Sequence, residues 1–317
     1  MKKLRAAVVG VGYLGRFHAE KYAADPSVDL VAAVDVDLDR AREIAANVGC
    51  RAVGDFHEIL GSVDCASVAV PTACHAEVAT ALLEAGVDVL VEKPIAATLD
   101  EARRIVEAAE RHGRVLQVGH LERFNPAIRA LGKILTRPRF IECHRLATFV
   151  DRGIDVDVVL DLMIHDLDVI LSIMPGDVAS VEAVGVPVLT NATDIANARI
   201  RFTDGAIANV TASRVSLKRE RKLRIFQADT YISLDYGEKQ MRVIRRTDSS
   251  DGHAPMIEAE EHPVGSEDAL AEEIRAFLEA VRSRATPIVS GREGLRAVEL
   301  AYQILERIDA ELRNHTG

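Results

Sequence analysis

The sequence predicts two domains of different class, α/β plus α+β. Residues 1–120 read as a doubly wound parallel sheet, and residues 121–317 as a largely antiparallel sheet with helices on one side. Three observations carry this. A chain of 317 residues is long enough for two domains at ~150 residues each. Up to Gly119, strand-like apolar runs alternate with helix-like segments, the pattern of parallel strands with helices on both faces. Beyond Gly119 the alternation gives way to helices and then to strands separated by turns.

In chain order, Ala6–Val9 reads as a strand and Leu14–Ala24 as a helix. Leu30–Val34 is the next strand, ending at Asp35, and Leu38–Val48 is helical. Cys65–Val70 is a short buried strand stopped by Pro71, Ala76–Ala85 a helix ended by Gly86, and Val87–Val91 a strand. Leu99–Arg111 is a helix whose acidic start and basic end suit the helix dipole. Val115–Val118 closes the first series. A helix over Asn125–Leu135 follows, with Pro126 in its first turn, and then a strongly apolar helix over Asp157–Ile173. Val181 to about Val243 reads as strands joined by turns such as Thr203-Asp204-Gly205 and Asp235-Tyr236-Gly237. Helices near Glu267–Arg282 and Gly291–Arg313 follow. Thr247–Pro255, polar and glycine-containing, is the expected flexible segment.

Bulk properties narrow the function. The chain is 48% apolar and 28% charged, ordinary for a soluble globular protein. A net charge of −10 argues against nucleic-acid and anionic-membrane partners, which require a basic field. The four cysteines, Cys50, Cys65, Cys74 and Cys143, form no Cys-x-x-Cys and sit at no zinc-finger spacing, so reduced thiols and no metal site are expected. The basic start Met1–Arg5 precedes an apolar run too short and too glycine-broken for a signal peptide, and no stretch has the length of a membrane span. The expected location is cytoplasmic.

Gly10-Val11-Gly12-Tyr13-Leu14-Gly15 lies between a strand and a helix, and Asp35 ends the following strand ~25 residues on. This is the context of a Rossmann dinucleotide cradle. Gly10 allows the tight turn, Gly12 the approach of a pyrophosphate, and Gly15 close packing of the helix, whose N-terminus offers N–H donors. A carboxylate at Asp35 can bond both ribose hydroxyls of NAD and repels a 2′-phosphate. Asp37 adds to the repulsion, while Arg40 and Arg42 lie near enough to accommodate NADP. NAD is favoured.

Glu92-Lys93-Pro94 follows the apolar run Val87–Val91. It puts a lysine at the carboxyl end of a buried strand, where a parallel sheet presents its ligand site. On the apolar helix, Asp157, Asp161, His165 and Asp168 recur at spacings of four, four and three and share one face. Such a stripe on a buried helix serves either a structural polar network or a cavity where carboxylates hold an imidazole ready as a general base.

Together with Pro71-Thr72-Ala73-Cys74-His75, these segments resemble the Gfo/Idh/MocA oxidoreductase family over nearly the whole chain. The resemblance implies an open-faced second sheet and oxidation or reduction of a sugar or cyclitol hydroxyl. It implies cofactor contacts at Gly10, Gly12, Tyr13, Leu14, Gly15, Asp35, Pro71, Thr72, His75, Glu92 and Lys93, and catalytic roles for Lys93, His165 and Asp161. Either Lys93 or His165 can be the proton acceptor; His165 is favoured. His120-Leu121-Glu122-Arg123-Phe124-Asn125-Pro126 is further similar to the branch acting on nucleotide-linked amino sugars of lipid A biosynthesis. That similarity implies C3 oxidation of a UDP-N-acetylhexosamine, with Arg123, Asn125, Lys93, Asp161 and His165 at the substrate. Asn125 can equally serve to cap the helix begun by Pro126. Arg123, Arg145, Arg152 and Arg214 are candidates for a pyrophosphate. The basic run Lys218–Arg224 reads first as a solvated strand. An inositol or free-sugar dehydrogenase and an NAD(H)-sensing, non-catalytic Rossmann protein are the alternatives. Few helices after Val181 can cover the late sheet, so a homodimer or homotetramer is expected.

Overall fold

The computed structural model describes residues 2–132, 134–150, 156–247, 256–265 and 267–315. Arg152 and, apart from Thr247, the segment expected to be flexible lie outside the described residues. In chain order the elements are β1 (Leu4–Val9), α1 (Gly15–Ala24), β2 (Val28–Val34), α2 (Leu38–Val48), β3 (Arg51–Val53), β4 (Cys65–Val68), α3 (His75–Glu84), β5 (Asp88–Glu92), α4 (Leu99–Arg111), β6 (Leu116–Gly119), α5 (Pro126–Leu131) and β7 (Phe140–Leu146). A π-helical turn (Val159–Met163) leads into α6 (Ile164–Ile173). Then come β8 (Val178–Val186), β9 (Ile195–Phe202), β10 (Ile207–Ser213), β11 (Glu220–Phe226), β12 (Thr230–Asp235), β13 (Gln240–Thr247), β14 (Met256–Pro263), α7 (Ala269–Ser283) and α8 (Gly291–His315).

The chain divides into two compact units, Met1–Phe124 with Asp268–Val298, and Asn125–Glu267 with Glu299–Gly317. A single cut at residue 120 therefore leaves out the return of α7 to the first unit. In that unit six parallel strands run in the order β3-β2-β1-β4-β5-β6. The order reverses between β1 and β4, the switch point at which open parallel sheets bind ligands. Ala6, Val8, Cys65 and Leu90 point to one face, where Ala19 and Tyr22 of α1, Ala41 and Ala45 of α2, and Ile274, Phe277 and Leu278 of α7 close over them. The alternate residues Val89 and Val91 are equally buried; α3 packs on β5, and α4 packs on α3. Both faces are covered, which is why these strands read as continuous apolar runs. Local signals fix the helix ends: Thr98 and Glu101 form a capping box on α4, Asp37 caps α2, and Gly49 ends α2 at a φ of 77°.

The second unit holds an eight-stranded sheet in the order β14-β13-β12-β11-β7-β10-β9-β8. Only β7 and β10 pair in parallel; every other neighbouring pair is antiparallel. One face is apolar, with Ile141, Cys143, Ala208, Val210, Leu223, Ile225, Ile232 and Leu234 buried, and α6 packs on β7 and β10. Ile308 of α8 sits at Gly185 of β8, where an added Cβ would come within 2.8 Å of it. The opposite face is polar and carries the pairs Arg224–Glu142, Lys222–Asp235 and Arg199–Asn209. The basic run thus enters β11 at Glu220, and its Lys222 and Arg224 are paired with carboxylates there.

The apolar helix departs from expectation. It is not one α-helix over Asp157–Ile173, because the Ile164 N–H reaches back five residues to the Val159 carbonyl before α6 begins. β3, β7 and β14 were not read from the sequence at all, and the helix at Asn125 is shorter than expected, Pro126–Leu131. No described helix is long and apolar enough to cross a membrane.

Candidate active site

In the first unit the cradle is built by backbone. Gly10 has a φ of +84°, and a Cβ there would lie 2.7 Å from the Ala69 and Val70 backbone. A Cβ on Gly15 would meet the Gly10 carbonyl, whereas Gly12 faces open space. The first turn of α1 has no side-chain cap, and Tyr13 and Leu14 are exposed beside it. Such a turn suits a dinucleotide pyrophosphate. Asp35 is buried at the end of β2. It accepts the Val11 N–H at 3.1 Å and the Asp37 N–H at 2.9 Å, and Arg40 reaches both its oxygens at 3.3 Å. Arg40 also pairs with Asp37 at 3.1 Å, so two carboxylates hold this arginine.

Pro71 and Thr72 open a short 3₁₀ turn before α3, and Cys74 is exposed. The buried His75 ring bridges two carbonyls, Pro94 O at 2.9 Å from Nδ1 and Val70 O at 2.9 Å from Nε2. Burial pushes its pKa down, and the two carbonyls oppose that shift. His75 therefore ties the β4–α3 connection to Pro94 through its own ring.

Lys93 directly follows β5 and joins Pro94 through a cis peptide bond. Its N–H donates to Glu92 Oε2 at 3.3 Å. Glu92 Oε1 lies 2.9 Å from His18 Nε2 on α1. Against the penalty of burial, the His18 hydrogen bond and charge and the Lys93 N–H and charge hold the Glu92 carboxyl below its ordinary value. At the end of β6, His120 is 1% exposed, and neither ring nitrogen has a hydrogen-bond partner among the described residues. Burial first, and then the charges of Lys93 and Arg123, push its pKa down to about 3, so it is a neutral imidazole. Arg123 reaches Glu293 Oε1 at 3.1 Å and the Ile288 carbonyl at 3.3 Å. His18 was not singled out from sequence, and His120 entered only as the first residue of the His120–Pro126 segment, with no role; the strand pairing of β5 with β6 places it near Glu92.

In the second unit the acidic stripe separates into different roles. Asp157 precedes the helical turn and accepts the Thr193 N–H at 3.0 Å. Asp161 within the π turn and His165 in the first turn of α6 are half-buried, whereas Asp168 is buried. Asp166 forms a two-bond ion pair with Arg145 of β7, at 2.7 and 2.8 Å. Arg145 and Arg214 are both buried, and Arg214 donates to the Val156 carbonyl near Asp194. Both were expected among the phosphate candidates; both are instead internal supports, because a buried guanidinium needs an acceptor within the fold. Asn125 Oδ1 accepts the Ala127 N–H at 3.0 Å, so it does cap α5. A groove of about 580 Å³ lies along β8 and the end of α8, but its lining includes none of the candidate residues.

Comparison with known proteins defines the class. Residues 4–120 match a profile described as "Oxidoreductase family, NAD-binding Rossmann fold", and residues 131–232 match the GFO/IDH/MocA C-terminal domain. The chain is 37% identical over 314 residues to the UDP-N-acetylglucosamine 3-dehydrogenase of Acidithiobacillus ferrooxidans, spanning 99% of this chain and all of that protein. The chain belongs to the Gfo/Idh/MocA oxidoreductase family. A solved structure of the same Acidithiobacillus enzyme superposes with a TM-score of 0.91 over 98% of this chain and 99% of that one. The myo-inositol 2-dehydrogenase of Thermotoga maritima is 27% identical over 318 residues, 94% of each chain. The protein is thus a dehydrogenase of this family acting on a CH–OH group, with an NAD-binding Rossmann domain.

Proposed function

We propose that this protein oxidises C3 of a UDP-linked N-acetylhexosamine, in a reaction of lipid A biosynthesis, with NAD as the acceptor. The likeness at 37% identity along 99% of the chain to a UDP-N-acetylglucosamine 3-dehydrogenase carries this reading. The glycine cradle fits a dinucleotide, since Cβ atoms at Gly10 and Gly15 would collide with backbone and Gly12 is open. NAD, when bound, supplies the hydride acceptor. His165 removes the proton of the reacting hydroxyl, Lys93 orients and polarises its oxygen, and Asp161 orients His165 or a neighbouring hydroxyl. Arg123 and Asn125 contact the nucleotide sugar. NAD is preferred over NADP because Asp35 is a buried carboxylate and Arg40 is already shared between Asp35 and Asp37. The protein works in the cytoplasm as a homo-oligomer that covers the polar face of its second sheet.

The test is NADH formation with UDP-N-acetylglucosamine, myo-inositol and glucose in parallel. Turnover with the UDP-sugar, and little with the other two, is the expected result. Turnover with inositol alone would make the protein an inositol dehydrogenase. Cofactor binding without turnover of any sugar would favour an NAD(H) sensor.

A further inference from the structure

A buried polar chain runs under the end of β5 in the first unit. Tyr22 Oη lies 2.8 Å from Ser67 Oγ, and Ser67 Oγ lies 3.1 Å from His18 Nδ1. His18 Nε2 then meets Glu92 Oε1 at 2.9 Å, and Glu92 Oε2 receives the Lys93 N–H at 3.3 Å. His18 is 1% exposed, and Glu273 of α7 is fully buried. One potential ligand atom from each of His18, Glu92 and Glu273 lies within 4.8 Å of the others, the composition of a cation site. Yet both His18 nitrogens are engaged, by Ser67 and Glu92, and coordination of an ion would break one of those bonds. The arrangement instead matches an imidazole that orients a carboxylate.

We propose that His18 is a positioning residue for Lys93. Its bond to Glu92 Oε1 fixes the carboxylate whose other oxygen accepts the Lys93 backbone N–H and whose charge attracts that of Lys93. Without His18, Glu92 turns and the Lys93 amine departs from its reactive placement. A misplacement of about 1 Å at a reacting group costs on the order of 10²-fold in rate. This inference rests on the role given to Lys93 above.

Two variants separate positioning from packing. His18→Gln keeps an amide donor where Nε2 stood, and His18→Asn keeps one only at Nδ1. His18→Asn is expected to lower kcat by about 10²-fold with KM values unchanged, and His18→Gln to recover most of that loss. In a Lys93→Ala background, His18→Asn should cost nothing further. A substrate-free readout is the titration of the Lys93 amine by NMR in ¹⁵N-lysine-labelled protein, with Glu92 and His120 as the titratable groups that interact with it, and Glu273, Arg123 and Glu293 beside those two. Its midpoint should move in His18→Asn and stay in His18→Gln. Equal losses in both variants that track Tm, a full His18→Asn penalty in the Lys93→Ala background, or an unmoved Lys93 signal would overturn the proposal. A wild type that oxidises no sugar would defeat the functional reading alone, and the NMR titration then decides the role of His18.

Discussion

Asp166→Asn is the sharpest probe of how the helix carrying His165 is held. Asp166 and Arg145 are 2% and 3% exposed and share two short hydrogen bonds. Asparagine preserves the shape but removes the charge that balances the buried guanidinium, which stays protonated. Breaking one side of a buried pair costs about 3–5 kcal/mol, a large part of the roughly 5–15 kcal/mol that stabilises a whole protein. At about 2–4 °C per kcal/mol for a unit of this size, the expected fall in Tm is roughly 6–20 °C. Urea and thermal unfolding followed by circular dichroism give both numbers. Replacing the pair together, as Arg145→Met with Asp166→Leu, should restore most of the loss, since an apolar pair of similar volume needs no counter-charge. A loss below about 1 kcal/mol in Asp166→Asn, or a double variant no better than the single, would refute the view that this pair anchors α6.

Other outcomes follow from the same geometry. Asp35→Ala should weaken NAD binding and narrow its advantage over NADP, as read by fluorescence titration of both cofactors. Lys93→Ala and His165→Ala should each lower kcat by about 10²–10⁴-fold with Tm unchanged, and normal turnover in a folded His165→Ala would remove it from the reaction. Asp194 is buried, yet the N–H groups of Leu189, Thr190 and Val188 and the Thr190 hydroxyl hold its pKa at about 2. Its folded value is depressed, so it contributes about 2 kcal/mol above pH ~4 that is lost as pH falls through about 2; Asp194→Asn should remove that part of the acid-unfolding slope. Light scattering should give an oligomer at micromolar concentration, and a monomer would contradict the covered-sheet argument.

The first unit was legible because both sheet faces are buried there. Runs such as Val87–Val91 carry their own signal, and the capping residues of α2 and α4 lie where the boundaries were read. β7 was not legible, since its inward positions include Arg145 and its outward ones Glu142 and His144, which blurs the alternation. The π turn has no signature in residue type; it comes from a backbone hydrogen bond. The glycine cradle and Lys93 could be named from motif and strand end. His18 could not, because nothing in its spacing says that the imidazole turns toward Glu92, and Arg145 and Arg214 looked like ligand-binding cations until Asp166 and Asp194 were found beside them.

The return of α7 to the first unit has a consequence for the order of events during synthesis. Ile274, Phe277, Leu278, Ala280 and Val281 of α7 complete a core whose other buried members lie between Ala6 and Val115. The ribosome must make the whole segment from Asn125 to Glu267 before those side chains exist. At roughly 5–20 residues per second that interval lasts on the order of 10–30 s. Throughout it, the nascent parallel sheet shows Ala6, Val8 and Leu90 without their α7 cover, a surface suited to chaperone capture. Cutting the chain after Phe124 would make that passing state permanent, whereas a fusion that returns Asp268–Val298 directly to Phe124 would rebuild the missing wall.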